Sequence, residues 1–406
     1  MTTNTVATNA RHASTTRTQR NSSIELLRII AMLMILSHHF VLHNGSPLST
    51  FPLTPAREIF SFIFLSGGKI GVAIFFSIST WFLISSEQSI KKNFKRIWLM
   101  ERELLFWSLT LLVVFVCIRR SLLSSSTLLG SFLPTITNLW WYATSYAAFL
   151  AILPFLQYAL VAMGPKMHAQ LTLLLSIVFG ILSLLPIRTI YNIYITDVYG
   201  FIYLFIIISF YKLYLKKLNT KQLLLILFAG IAIAIVIIIA KDIILLIALP
   251  DSPGAYAAAY SPFRDFALPT IMVGLSMFLL FDKFNFYNKP INFIAKSSFA
   301  VYLISEYPPM RTWLWSNVFN LKYIYSKPFM PLYAIGILLA VYAACTLCDF
   351  IRRGLFAITV DRHPGRWFNA LWNTVAHWSW VQSLPKAMLN SSANTTDDLS
   401  GTTQLK

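Results

Sequence analysis

Charge is scarce in this sequence, and negative charge is the scarcer kind: 12% of the 406 residues are charged, 15 acidic against 33 lysines and arginines. A soluble domain carries roughly 25% charged residues, so a water-facing surface over most of the chain is excluded. Cysteine is nearly absent. Cys117, Cys345 and Cys348 all fall inside apolar runs, and a structural zinc site needs about four ligands. Cys345-x-x-Cys348 has no second pair and no histidine nearby, so these thiols read as small packing residues, and no metal site is expected. Asp197, Asp242, Asp251 and Asp265, the acids at or near the expected outer side, show no metal-ligand spacing. That argues against a metal-dependent polymerase or glycosyltransferase acting on lipid-linked sugar.

Apolar residues are abundant instead: 57% of the chain, with 15% aromatic and a mean hydropathy of +0.65. With roughly 20 residues per spanning helix, about ten apolar segments emerge, near 25–43, 69–86, 98–118, 139–161, 170–187, 198–214, 222–249, 263–281, 297–318 and 331–351. A shorter piece, Ile59–Leu65, is expected at the interface. The fold class that follows is all-α, a polytopic membrane protein. Lysines and arginines collect in alternate short loops (Lys91–Arg96, Lys166, Lys212–Lys221, Lys283–Lys296 and Arg352–Arg353), which places both termini in the cytoplasm. Arg119, Arg120 and Arg188 run against that trend. The formal charge of +18 is thus a topology signal rather than the footprint of a nucleic-acid binder. Residues 1–23 read as a disordered basic tail and 357–406 as a polar cytoplasmic tail, around a membrane domain over 24–356. The first apolar run ends at HHFVLHNGSP without a small-x-small cleavage site, so it is expected to be retained as a span.

That first run, LLRIIAMLMILSHH, holds an arginine and two histidines where ionisable groups are costly. Arg28 and His39 are eleven residues apart. On an α-helix this is a turn of about 1,100° and a rise of about 16 Å, which returns His39 to within about 20° of the face of Arg28. One line of one helix then carries a permanent cation near the cytoplasm and a proton-transfer group deeper in. His38 points about 100° away and reads as a structural neighbour.

Arg-x10-His within SIELLRIIAMLMILSHHF (23–40) resembles the signature of the membrane-bound acyltransferase 3 family. GVAIFFSISTWFL (71–83), NLWWYATSYAAFLAILPF (138–155), FAVYLISEYPPMRTWLW (299–315) and CDFIRRGLF (348–356) resemble further segments of it, in order, over roughly 24–356. The likeness is greatest to the Gram-positive branch that modifies cell-surface polysaccharides. Three departures stand out. The family's Ser-Gly is Ser79-Thr80 here, its late histidine is Ser305 followed by Glu306, and its Arg-x-x-Arg is approximated by Lys92-x-x-Lys95 with Arg96 next.

The resemblance implies an enzyme of the bacterial plasma membrane that moves an acyl group, commonly acetyl, from cytoplasmic acyl-CoA to a hydroxyl of a cell-surface or lipid-linked glycan. No cofactor is held permanently; acetyl-CoA or another acyl-CoA is the donor substrate. Membrane lipids and a polysaccharide-synthesis complex are the further partners expected. Arg28, Lys92, Lys95 and Arg96 are the candidate contacts for the polyanionic end of the donor, and His39 with Arg28 the catalytic pair. His38, Ser79, Trp141, Tyr146, Glu306 and Arg311 are candidate substrate contacts or supports. Each has a plainer reading: Arg28 as a lipid-phosphate anchor, His39 as a packing histidine, Lys91–Arg96 as an ordinary inside loop, Trp141 and Tyr146 as interface aromatics, Ser79 as an interhelical hydrogen-bond donor, and Glu306 with Arg311 as a neutralising pair. A proton-coupled transporter or flippase of a glycan precursor is the alternative function, since an intramembrane histidine and the interrupted SEYPPMR would suit one. A scaffold without catalysis is a third.

Overall fold

The computed structural model describes residues 20–44, 54–184, 198–248, 266–320 and 329–376. The greater part of each predicted tail, and Arg188, Asp197, Asp251 and Asp265, lie outside them. Among the described residues there is no strand. The helices are α1 (Ser22–Leu42), α2 (Pro55–Phe60), α3 (Gly67–Ile84), α4 (Ile90–Ile118), α5 (Ser125–Phe132), α6 (Trp141–Leu175), α7 (Val198–Tyr214), α8 (Thr220–Ala248), α9 (Leu268–Asp282), α10 (Lys289–Ala295), α11 (Ser298–Glu306), α12 (Pro308–Arg311), α13 (Met330–Ile358) and α14 (Arg366–Ala376). Five stretches are long and apolar enough to cross a membrane: Ser22–Leu42, Pro55–Ile84, Trp141–Leu184, Thr220–Ile244 and Met330–Ile358. Val198–Tyr214 and Leu268–Asp282 are shorter apolar helices. The protein is an all-helical polytopic membrane protein.

Helices in lipid gain little from burying apolar surface against one another, so close packing of small residues decides how they associate. The α1–α3 pair shows this. The two run antiparallel, and a Cβ on Gly71 would stand 2.6 Å from the Ala31 carbonyl oxygen, while one on Gly68 would stand 2.2 Å from the Cβ of His38. On the other side of α3, a Cβ at Gly274 of α9 would meet that of Ala73 at 3.0 Å. The segment Ile59–Leu65, expected at the interface, exposes Ile59 and Ile63. It continues from α2 as a π-helical turn into α3, with Phe60 and Phe64 buried.

Two breaks shape the rest. Predicted segments 139–161 and 170–187 form one run, Trp141–Leu184, kinked where Gly164 takes φ 68°, ψ 177° before Pro165. The second break is at Tyr307. Proline biases the residue before it toward extended backbone and supplies no N–H. Tyr307, ahead of Pro308 and Pro309, accordingly adopts φ −58°, ψ 126°, and α11 stops at Glu306. The fully buried Tyr307 ring is tied by its hydroxyl to Ser131 Oγ at 2.9 Å, and Trp140 Nε1 donates to the Leu303 carbonyl at 3.1 Å. These bonds hold the broken end of α11 against α5 and the start of α6.

Candidate active site

α1 is the axis of the site. Asn21 caps it by accepting from the Ser23 amide, while Ser22 and Ser23 bond to Asn292 and to the Phe281 carbonyl, both at 2.8 Å. Towards its other end, Ser37 Oγ donates to the Phe64 carbonyl at 2.8 Å and His38 Nδ1 donates to the Leu65 carbonyl at 2.7 Å. Carbonyls at the end of a helical segment lack partners in their own helix, and these two α1 side chains supply them. His38 is therefore a structural tie as well as part of the cavity wall.

His39 faces a cavity of about 220 Å³. Its Nδ1 lies 3.0 Å from Glu306 Oε1, while His43 Nε2 and Arg311 Nη1 lie 3.6 and 3.7 Å from Oε2. The His39 and Glu306 side chains are only 10% and 8% exposed. Close as they are, Nδ1 and Oε1 are not aligned as donor and acceptor, and neither has a hydrogen-bond partner. Trp141, Tyr142, Tyr302 and Lys69 complete the polar part of the wall.

Arg28 stands one end down the same helix, as the eleven-residue spacing predicts. Its Nε is 3.4 Å from Glu25, and its guanidinium sits 5.5 Å from the centre of the Phe75 ring. It borders a second cavity of about 200 Å³ with Arg20, Glu25, Lys296, Ala295, Phe75 and Phe299. Phe75 and Phe299 line the first cavity too. The two chambers thus adjoin at a pair of aromatic rings, with the permanent cation on one side and the imidazole on the other.

The remaining predicted residues divide. Tyr146 stacks on Tyr142 and reaches Ser79, whose hydroxyl also donates to the Phe75 carbonyl at 3.2 Å. Both Arg28 and Arg96 lie close enough to Tyr146 to act on it electrostatically. Arg96 also donates to Gln88 Oε1 at 2.6 Å, and burial holds its guanidinium below the ordinary arginine pKa. Lys92 instead reaches the Glu87 carbonyl at 2.9 Å, and Lys95 packs on Gly365. Neither lysine borders the Arg28 chamber, and nor does Arg96.

His43, Lys69, Tyr142 and Tyr302 were not singled out from sequence. His43 could have been, because it follows His39 by four residues and shares its helix face. Lys69 carried the signal of any ionisable residue inside an apolar run. Tyr142 and Tyr302 lie in two of the segments that resemble the family, and the contact of their rings, 6.2 Å between centres, is what places them together. Asp242 pairs with Lys241 at 2.9 Å, away from the cavity.

Residues 21–349 match the family model of the acyltransferase 3 domain. No curated protein and no solved structure matches the chain.

Proposed function

Because this chain belongs to the acyltransferase 3 family, and is on that ground a membrane acyltransferase, we propose that it transfers an acetyl group from cytoplasmic acetyl-CoA to a hydroxyl of a cell-surface or lipid-linked glycan at the plasma membrane of a bacterium. The observation that carries this reading is the pair of adjoining chambers, with Arg28 bordering one and His39 the other. A donor with a polyanionic head and a slender thioester arm suits that layout. In this reading both termini face the cytoplasm, and Arg28 with Arg20 and Lys296 meets the phosphates. The arm passes Phe75 and Phe299 to bring the thioester beside His39.

In the transfer itself, the acceptor oxygen attacks the thioester carbonyl carbon as His39 removes the hydroxyl proton. The C–S bond then breaks, and the imidazolium returns the proton to the departing sulfur, so the ring ends neutral. Glu306 at Nδ1 stabilises the transient imidazolium and leaves Nε2 as the nitrogen for proton transfer. Lys69 and Arg311, on the same cavity wall, offset the negative charge that develops on the carbonyl oxygen.

The test is thermal stabilisation of the detergent-purified protein by acetyl-CoA. Stabilisation lost in Arg28→Ala and kept in His39→Ala, together with transfer of label from acetyl-CoA to glycan that fails in both, is the expected result. A folded protein stabilised by no acyl-CoA would overturn the donor assignment and favour transport of a glycan precursor.

A further inference from the structure

His39 on the last turn of α1 and His43, the C-cap of that helix, are four residues apart, the spacing that puts two imidazoles on one helix face and that metalloenzymes use for zinc. Glu306, from the broken end of α11, closes the third side. The ligating atoms of the three residues all lie within 4.8 Å of one another. Ligands about 2.0–2.1 Å from a tetrahedral zinc stand roughly 3.3–3.4 Å apart; His39 Nδ1 is 3.0 Å from one carboxylate oxygen of Glu306 and His43 Nε2 3.6 Å from the other, on either side of that value. A second observation points the same way. His39 Nδ1 and Glu306 Oε1 are buried and without a hydrogen-bond partner although they almost touch. Once the ring proton sits on Nε2, the Nδ1 and Oε1 lone pairs lie side by side without meeting head-on, placed to share a third atom.

We propose that His39, His43 and Glu306 form a reversible site for a divalent metal of the zinc class, and that its occupation silences His39 as a base. Nitrogen and oxygen ligands with the remaining position open toward the cavity suit zinc. Reversibility follows from the neighbours. Arg311, 3.7 Å from Oε2, and Lys69, on the same cavity wall, both oppose a cation. Arg311 is 37% exposed and can turn to the mouth as the metal enters, at a cost that keeps affinity below that of a structural zinc. The silencing is a matter of tautomers. A metal on Nδ1 takes that lone pair and leaves the ring proton on Nε2, so Nε2 donates and no longer accepts. The binding half stands on geometry alone; the silencing half rests on the acyl-transfer reading.

The experiment uses full-length protein purified without a histidine tag, stripped with chelator and titrated with zinc against a chromophoric chelator. Cobalt is added in parallel to read the coordination geometry from its visible absorption. One equivalent of zinc in the wild type is expected, with an intense tetrahedral-type cobalt spectrum. Affinity should fall in His43→Asn and Glu306→Gln by more than the roughly 10- to 100-fold that losing an outer partner costs, while thermal melts show both variants folded. Equal zinc binding in wild type and variants would assign the metal to other groups, such as His363 or the exposed Cys117 and Cys348, and overturn the site. Zinc bound at the site without loss of acyl transfer would overturn the silencing. An absence of acyl transfer from the metal-stripped protein, with one equivalent of zinc still binding on titration, would count against the donor reading alone.

Discussion

Nδ1 of His39 and Oε1 of Glu306 stand 3.0 Å apart, which joins the far end of the first span to the point where two prolines interrupt a late one. His39→Asn is expected to lower acetyl transfer by roughly 10²- to 10⁴-fold, the usual contribution of a positioned base, with the donor KM close to wild type. Glu306→Gln keeps the shape but removes the charge beside the ring. Its effect is expected in kcat and to be smaller, so steady-state kinetics on the two variants separate proton transfer from support of the imidazolium.

The donor end has its own contrast. Arg28→Ala removes a cation whose charged hydrogen bonds are worth about 1.5–3 kcal/mol, so the donor KM should rise roughly tenfold or more. Arg28→Lys should recover only part of this, because an ammonium cannot replace a planar fork. Lys92 is exposed and holds a backbone carbonyl; Lys92→Ala should change the same KM less than about twofold, since exposed charges contribute little. Acetyl-CoA titrations of the three proteins decide this.

The glycine seam between α1 and α3 makes a stability prediction. Gly71→Ala puts a methyl group 2.6 Å from the Ala31 carbonyl oxygen and should cost about 1–3 kcal/mol by overpacking. Gly336→Ala, in α13 with nothing within 4 Å of the new atom, should be neutral or stabilising by roughly 0.5–1 kcal/mol. Melting curves in one detergent compare them.

Arg352 spans α13 and α4, with Nε 2.6 Å from Asp349 Oδ1 and Nη2 3.2 Å from Glu103 Oε1. Its side chain is 9% exposed and that of Asp349 fully buried. Arg352→Ala strands two carboxylates and should cost about 3–5 kcal/mol. Asp349→Asn, which keeps a hydrogen-bond acceptor, should cost less. Thermal unfolding of both variants is the check.

The features legible in the sequence are those that live within one helix. Arg28 and His39 share a face because helical periodicity requires it, and the interruption after Glu306 follows from Pro308 and Pro309. Five long apolar stretches and two shorter ones coincide with segments read from hydropathy, and the break between 139–161 and 170–187 falls at Gly164-Pro165. What periodicity could not reach is partnership between distant segments. Nothing local in SEYPPMR says that Glu306 meets His39, and nothing near Tyr142 or Lys69 says that they border the same chamber. The basic cluster at 92–96 illustrates the converse: three cations close in sequence point different ways once Gln88, Glu87 and Gly365 take their share.

Phe75 and Phe299 border both chambers, and this sets a condition on any catalyst that works from one side of a membrane to the other. A continuous water column through it would leak ions and discharge the membrane it sits in. An apolar constriction dewets and closes that path, and Phe75 and Phe299 are the apolar side chains that the two chambers share. In the proposed reading only the slender arm of the donor passes between these chambers, so each partner stays in its own compartment while the acyl group alone changes sides.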